Sequence, residues 1–203
     1  RQDEKLMAFH DPTLDRVTNY IGKIRDFTSQ ELKKIRVNDK FQIPFLEDLL
    51  DSFSQNYFSI DMKSDESVIP LIKLVRKMNA IDRVCFASFN QQRLDYVREE
   101  FSNKCISSMG PKEIVKTKLC SILNIKHNVL PLISSLPIKR YKIELLNKKH
   151  VDFLKSLNIK VIAWTINDAN EITRLIDLGV DGIMTDKISA LKEILIKKNL
   201  WQH

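Results

Sequence analysis

Tyr57-Phe58-Ser59-Ile60-Asp61-Met62, followed by Val68, Leu71, Ile72 and Val75 and then by Arg83-Val84-Cys85-Phe86-Ala87-Ser88-Phe89, is the stretch that decides the fold. Two short runs rich in aromatic and β-branched residues bracket a segment whose apolar positions recur at helical spacing. Strand, helix and strand within ~30 residues make a βαβ unit, and such a unit requires parallel strands.

The same alternation extends in both directions. Downstream, 90–101 is helical, 105–109 is a weaker strand, and 111–123 is a helix with Pro111 at its first position. Residues 124–147 show the least periodicity, and one strand is expected there, over 141–146. A helix over 148–157, a strand over 160–166, a helix over 169–178 closed by Gly179, a strand over 180–186 and a final helix over 189–198 complete the series. Upstream, Thr28 and Glu31 have capping-box spacing, and 43–50 starts a second helix. Leu6-Met7-Ala8-Phe9 is a continuous apolar run, the pattern of a strand buried on both faces of a parallel sheet, and Pro12 stops it. Strands alternating with helices define an α/β protein, and roughly seven of them approach the eight of a (β/α)8 TIM-barrel. A doubly wound open sheet is the alternative. No G-x-G-x-x-G turn follows any strand, and 4 glycines leave no dinucleotide or Walker loop.

At 203 residues and 43% hydrophobic, the chain can bury one sizeable core, so a single domain over 1–203 is expected. The formal net charge of +7 suits an anionic partner such as phosphate, a membrane surface or nucleic acid. The excess is spread over lysines such as Lys33-Lys34, Lys148-Lys149 and Lys197-Lys198, a solvated surface rather than a binding stripe, which argues against nucleic acid. Cys85, Cys105 and Cys120 form no C-x-x-C pair and read as small core residues of a reducing compartment, so a cytoplasmic location is expected. No apolar run approaches the ~20 residues that span a bilayer, and no stable membrane insertion is expected.

In a barrel the C-terminal ends of the strands form one rim, where such folds place their chemistry. That rim collects His10-Asp11, Asp61 with Lys63, Ser88-Phe89, Trp164 with Asn167, and Thr185-Asp186. The imidazole of histidine suits proton transfer at neutral pH, although a lone strand-end histidine is better explained as a hydrogen-bonded cap. Asp61 has the chemistry of a ligand to a hard divalent cation, and equally of an ion-pair partner for Lys63, two positions on and on the same face. Lys63 suits a phosphate oxygen as a point charge. Trp164 by itself reads as core, and Asp186 as a cap on the final helix.

Taken in order, His10-Asp11-Pro12-Thr13-Leu14-Asp15-Arg16, Ile43-Pro44, Ser59-Ile60-Asp61-Met62-Lys63, Ala87-Ser88-Phe89, Ala163-Trp164-Thr165-Ile166-Asn167 and Leu178-Gly179-Val180-Asp181-Gly182-Ile183-Met184-Thr185-Asp186 resemble the glycerophosphodiester phosphodiesterases. The resemblance implies a (β/α)8 barrel that hydrolyses glycerophosphodiesters to glycerol 3-phosphate and an alcohol with a divalent metal cation, Mg2+ or Ca2+. It implies His10 as the acid or base beside the phosphorus and Asp61 as a carboxylate metal ligand in a place usually held by glutamate. It also implies Lys63 near the phosphate, with Phe89 and Trp164 as the aromatic lining of the substrate pocket. The family's first strand with its His-Arg-Gly motif, and its Glu-x-Asp pair, belong ahead of Arg1. The chain is therefore expected to be truncated at the N-terminus, with the first strand and helix missing. An incomplete site leaves an alternative open, a non-catalytic barrel that binds phosphate esters or assembles with a partner chain. The expected partner is a small-molecule glycerophosphodiester, and oligomerisation is left open.

Overall fold

The computed structural model describes residues 5–201, which fall into two compact units divided between Ile106 and Ser107. In the first unit, helix α1 (Ser29–Lys34) begins at a complete capping box. The Thr28 hydroxyl accepts the Glu31 backbone N–H, and the Glu31 carboxylate accepts the Thr28 N–H. A two-stranded hairpin, β1 (Arg36–Val37) with β2 (Phe41–Gln42), turns through Asn38 and Asp39 at positive φ, a conformation that asparagine and aspartate tolerate. Helix α2 (Leu46–Ser52) follows. Two guanidinium nitrogens of Arg83 donate to its last carbonyls, one to Leu50 at 2.6 Å and one to Phe53 at 3.2 Å.

The βαβ unit appears where the apolar pattern places it. Strand β3 (Phe58–Asp61) runs parallel to β4 (Val84–Ala87), with Phe58 opposite Val84 and Asp61 opposite Ala87, and α3 (Val68–Lys77) is the crossover. Helix α4 (Gln91–Glu100) is capped by the Asn90 side chain, and β5 (Ile106–Ser107) completes the order β3-β4-β5. The inner faces of α3 and β4 bury Leu71, Ile72, Val75, Val84 and Phe86 in one core. A smaller cluster of Leu14, Leu32, Ile35 and Ile43 lies under the N-terminal segments.

The expected opening strand takes a different form. Residues 6–9 join no parallel sheet; Met7 makes an antiparallel bridge to Phe45, the Ala8 N–H donates to the Pro44 carbonyl, and the Leu46 N–H donates to the Leu6 carbonyl. Leu6, Met7 and Phe9 are half-buried and Ala8 is exposed. A continuous apolar run of four residues carries no information about which partner will cover it.

The second unit contains α5 (Pro111–Leu123), β6 (Ile133–Leu136), a hairpin of β7 (Lys139–Arg140) and β8 (Ile143–Glu144), α6 (Lys148–Ser156), β9 (Lys160–Ala163), α7 (Ala169–Leu178), β10 (Gly182–Ile183) and α8 (Ile188–Lys197). Its parallel sheet has the order β10-β9-β6, so β9 is central and apolar throughout its inner half. Gly179 closes α7 at φ 93°, where a side chain would be strained. Sequence periodicity misses β6, because Ser134 and Ser135 interrupt its apolar run and prolines flank it. It places a lone strand where β7 and β8 form the hairpin. Among the described residues no closed ring of strands forms, and no helix is long and apolar enough to cross a membrane.

Candidate active site

The pairing of β3 with β4 carries two side chains to one end. Past Asp61, the Met62 N–H donates to the Ala87 carbonyl at 2.8 Å, while the Met62 carbonyl accepts from Ser88 Oγ at 3.0 Å and from Arg93 Nη1 at 2.7 Å. Those bonds hold the strand end from which Asp61 and Lys63 project. Lys63 Nζ is the centre of the cluster: it lies 2.7 Å from Asp61 Oδ2, 3.5 Å from His10 Nε2 and 5.7 Å from the centroid of the Phe89 ring. Four of the five residues singled out in the sequence, His10, Asp61, Lys63 and Phe89, are thus brought together.

His10 is oriented from its other side. Its Nδ1 lies 2.7 Å from Asp11 Oδ1, and Asp11 Oδ2 accepts from Arg16 Nε. With the ring proton on Nδ1, Nε2 faces the Lys63 ammonium and is the atom available for proton exchange. The Arg16 guanidinium, and secondarily the His10 hydrogen bond, hold the Asp11 carboxyl down at about 2. Asp11 is therefore ionised at neutral pH. The sequence reading overlooked Asp11 and Arg16 as supports, although their places beside and six residues beyond His10 were the available signal. Ser88 is placed on the rim without this role and Arg93 leaves no signal, because their shared target is a backbone carbonyl about thirty residues away.

His10, Asp11, Asp61 and Lys63 line a cavity of about 580 Å³ within the first unit. Its wall is apolar at Leu6, Phe9, Ile60 and Leu71 and cationic at Lys23 and Lys63, so it offers a small anionic ester both positive charge and apolar contact. For a metal, one observation speaks directly: Asp61 Oδ1 is buried and has no hydrogen-bond partner among the described residues. A buried carboxylate oxygen without a partner is costly, and a hard cation satisfies it. No group of three or more His, Cys, Asp or Glu side chains suited to hold an ion occurs among the described residues. The residues present thus fit one protein ligand, the arrangement of a cation held by few carboxylates together with substrate oxygens and water.

In the second unit Trp164 is half-buried at the end of β9, its backbone N–H donating to the Leu136 carbonyl at 3.0 Å. Asn167 there is structural. Its Oδ1 accepts from Thr185 Oγ1 at 3.0 Å and from the Asp186 N–H at 2.9 Å, and its Nδ2 donates to Asp186 Oδ2 at 2.9 Å. Asp186 consequently does not cap α8, whose N-cap is Lys187 without a side-chain bond.

The chain is similar to known proteins over nearly its whole length. It is 28% identical over 211 residues to a glycerophosphodiester phosphodiesterase of Caldanaerobacter subterraneus, covering 97% of this chain and 82% of that protein. It is 23% identical over 205 residues to a probable glycerophosphodiester phosphodiesterase 2 of Mycobacterium tuberculosis, covering 98% and 78%. Among solved structures, a putative glycerophosphoryl diester phosphodiesterase of Silicibacter pomeroyi superposes with TM-score 0.78 at 18% identity, covering 98% of this chain and 82% of that one. A phosphodiesterase of Oleispira antarctica, in complex with the product sn-glycerol-3-phosphate, superposes with TM-score 0.75 at 18% identity, covering 96% and 81%. The structural likeness assigns the (β/α)8 barrel fold class. The model of the glycerophosphoryl diester phosphodiesterase family matches residues 2–190, and the chain belongs to that family of phosphoric diester hydrolases.

Proposed function

We propose that this chain hydrolyses glycerophosphodiesters to sn-glycerol 3-phosphate and an alcohol in a reaction that depends on a divalent cation, Mg2+ or Ca2+. The observation that carries the proposal is the meeting of Lys63 with His10 and Asp61 on one cavity. A phosphodiester oxygen competes with His10 Nε2 for the Lys63 ammonium, which frees Nε2 to carry a proton. The Asp11 carboxylate at Nδ1 fixes the orientation of the ring while it does so. As water adds to phosphorus and the ester P–O bond breaks, Nε2 gives its proton to the departing alkoxide, the attacking water loses its proton to solvent, and Nε2 takes one back from solvent before the next turnover. The cation supplies positive charge against the phosphoryl oxygens, and Asp61 Oδ1 is the protein atom that would hold it. Phe89, its ring already beside Lys63, serves as an apolar wall for the substrate, and Trp164 is retained as a substrate-binding residue on the family resemblance. The reading takes 1–203 as one barrel domain, supported by a family match that runs through both units, and places it in the cytoplasm.

The test is release of glycerol 3-phosphate from glycerophosphocholine by the protein expressed from its full reading frame. Release that disappears with a chelator, and falls by ~100-fold or more in His10→Ala, is expected for a general acid. No release, or equal release by His10→Ala, would overturn the proposal. Tight metal-independent binding of glycerol 3-phosphate without turnover would favour the non-catalytic barrel instead.

A further inference from the structure

Helix α5 is patterned inside out. A surface helix ordinarily turns its apolar stripe to the core. Here the fully buried positions are Thr117 and Ser121, which meet the imidazoles of His127 at 3.3 Å and His150 at 3.1 Å. Val115, Leu119, Ile122 and Leu123, spaced i, i+4, i+7 and i+8 and so aligned on the opposite face, are 56–66% exposed. Ile125, Leu130 and Leu132 in the segment that follows are also more than half exposed.

Lysines predominate around this stripe, with Glu144 as a counter-charge near Lys118. Lys112 and Lys116 are exposed beside it and Lys118 is half-buried on its other flank, while Lys126 is exposed just beyond the helix. Lys149 Nζ reaches the last turn, donating to the Ile122 carbonyl at 3.0 Å. Glu113, the one acid of α5, has its carboxylate on the Gly110 N–H at 2.7 Å, at the N-terminal end of the helix. An apolar stripe rimmed by cations is complementary to an anionic lipid surface, where the side chains enter the acyl boundary and the ammonium groups meet headgroup phosphates. A symmetric pair of copies, by contrast, would set the same lysines against one another across the interface.

We propose that α5 is a peripheral membrane-docking surface for anionic phospholipid bilayers, lying in the interface plane without crossing it. It is independent of the hydrolytic reading, since it involves no residue of the candidate site. The experiment is co-sedimentation of the full chain with vesicles of phosphatidylcholine alone and with ~30% phosphatidylglycerol, at low and at physiological salt. Binding to the anionic vesicles that weakens with salt is expected, with little binding to phosphatidylcholine. The variant Lys112→Gln/Lys116→Gln should lose about tenfold in affinity, and Leu119→Glu/Ile122→Glu should bind at background. Far-UV circular dichroism and the melting temperature should stay unchanged in both, because all four side chains are exposed. Failure of the chain to bind anionic vesicles, or equal binding by both folded variants, would overturn the proposal. So would a dimer in solution that Leu119→Glu/Ile122→Glu dissociates without any vesicle binding.

Discussion

At the scale of single residues, Asp61 does two jobs with its two oxygens. Oδ2 holds Lys63, and Oδ1 is buried without a partner among the described residues. Asp61→Asn keeps the shape and removes the charge, so cation binding, read by calorimetry, is expected to weaken at least tenfold. The melting temperature should move little, because a partly exposed ion pair contributes only ~0–1 kcal/mol. Lys63→Met removes a charge-assisted contact to phosphate worth ~1.5–3 kcal/mol, so kcat/KM for glycerophosphocholine should fall roughly 10- to 100-fold while circular dichroism stays unchanged. The identities of His10, Asp61, Lys63 and Phe89 were legible as strand-end residues. Their meeting was not, since His10 and Lys63 are 53 positions apart and a segment other than a sheet strand delivers the histidine.

At the scale of elements, the packing of α6 on α5 places His150 in a buried setting. Ser121 Oγ donates to the Lys118 carbonyl, so it accepts from His150 Nδ1–H. Burial, with help from the nearby Lys118 charge, pushes the His150 imidazole down to about 4 from its usual 6.5. Glu144 also faces Lys118, and Lys149 adds a further positive charge beside it. Because the folded protein binds this proton less readily than the unfolded chain, the contribution is fully present above pH ~6.5 and is lost as the pH falls toward ~4, on the order of 3 kcal/mol in all. Urea unfolding at pH 7.5, 6 and 5 should show that decline in the wild type. His150→Asn should flatten it, at some cost in stability at pH 7.5. Equal slopes for the two proteins would mean that another group titrates.

For the molecule as a whole, the two largest cores among the described residues lie one in each unit. Phe86 is fully buried in the first, its ring 5.5 Å from Phe101, and Leu154 is fully buried in the second. Phe86→Ala should cost ~3–5 kcal/mol and Leu154→Ala ~2–5 kcal/mol in denaturant unfolding. Because β4 carries Phe86 and pairs with the strand that ends in Asp61, glycerol 3-phosphate release by Phe86→Ala should fail at a lower temperature than in the wild type. Well below that temperature kcat should be near normal. The net charge of +7, read from composition as a solvated surface, gains a particular location in the lysines beside α5.

What the sequence determined alone is the alternation of elements and the residue types at the strand ends. Parallel strands covered by helices must be apolar, and a period of two or 3.6 shows directly in the chain. Local caps were equally legible, as with Thr28 and Glu31 or Gly179, because their partners lie within one turn. Tertiary structure alone decided that residues 6–9 pair antiparallel with 44–46, that Ser134 and Ser135 sit inside a strand, and that the polar face of α5 turns inward. It also decided that Lys63 joins His10 to Asp61. Each of these depends on partners far apart in sequence, which local periodicity cannot specify.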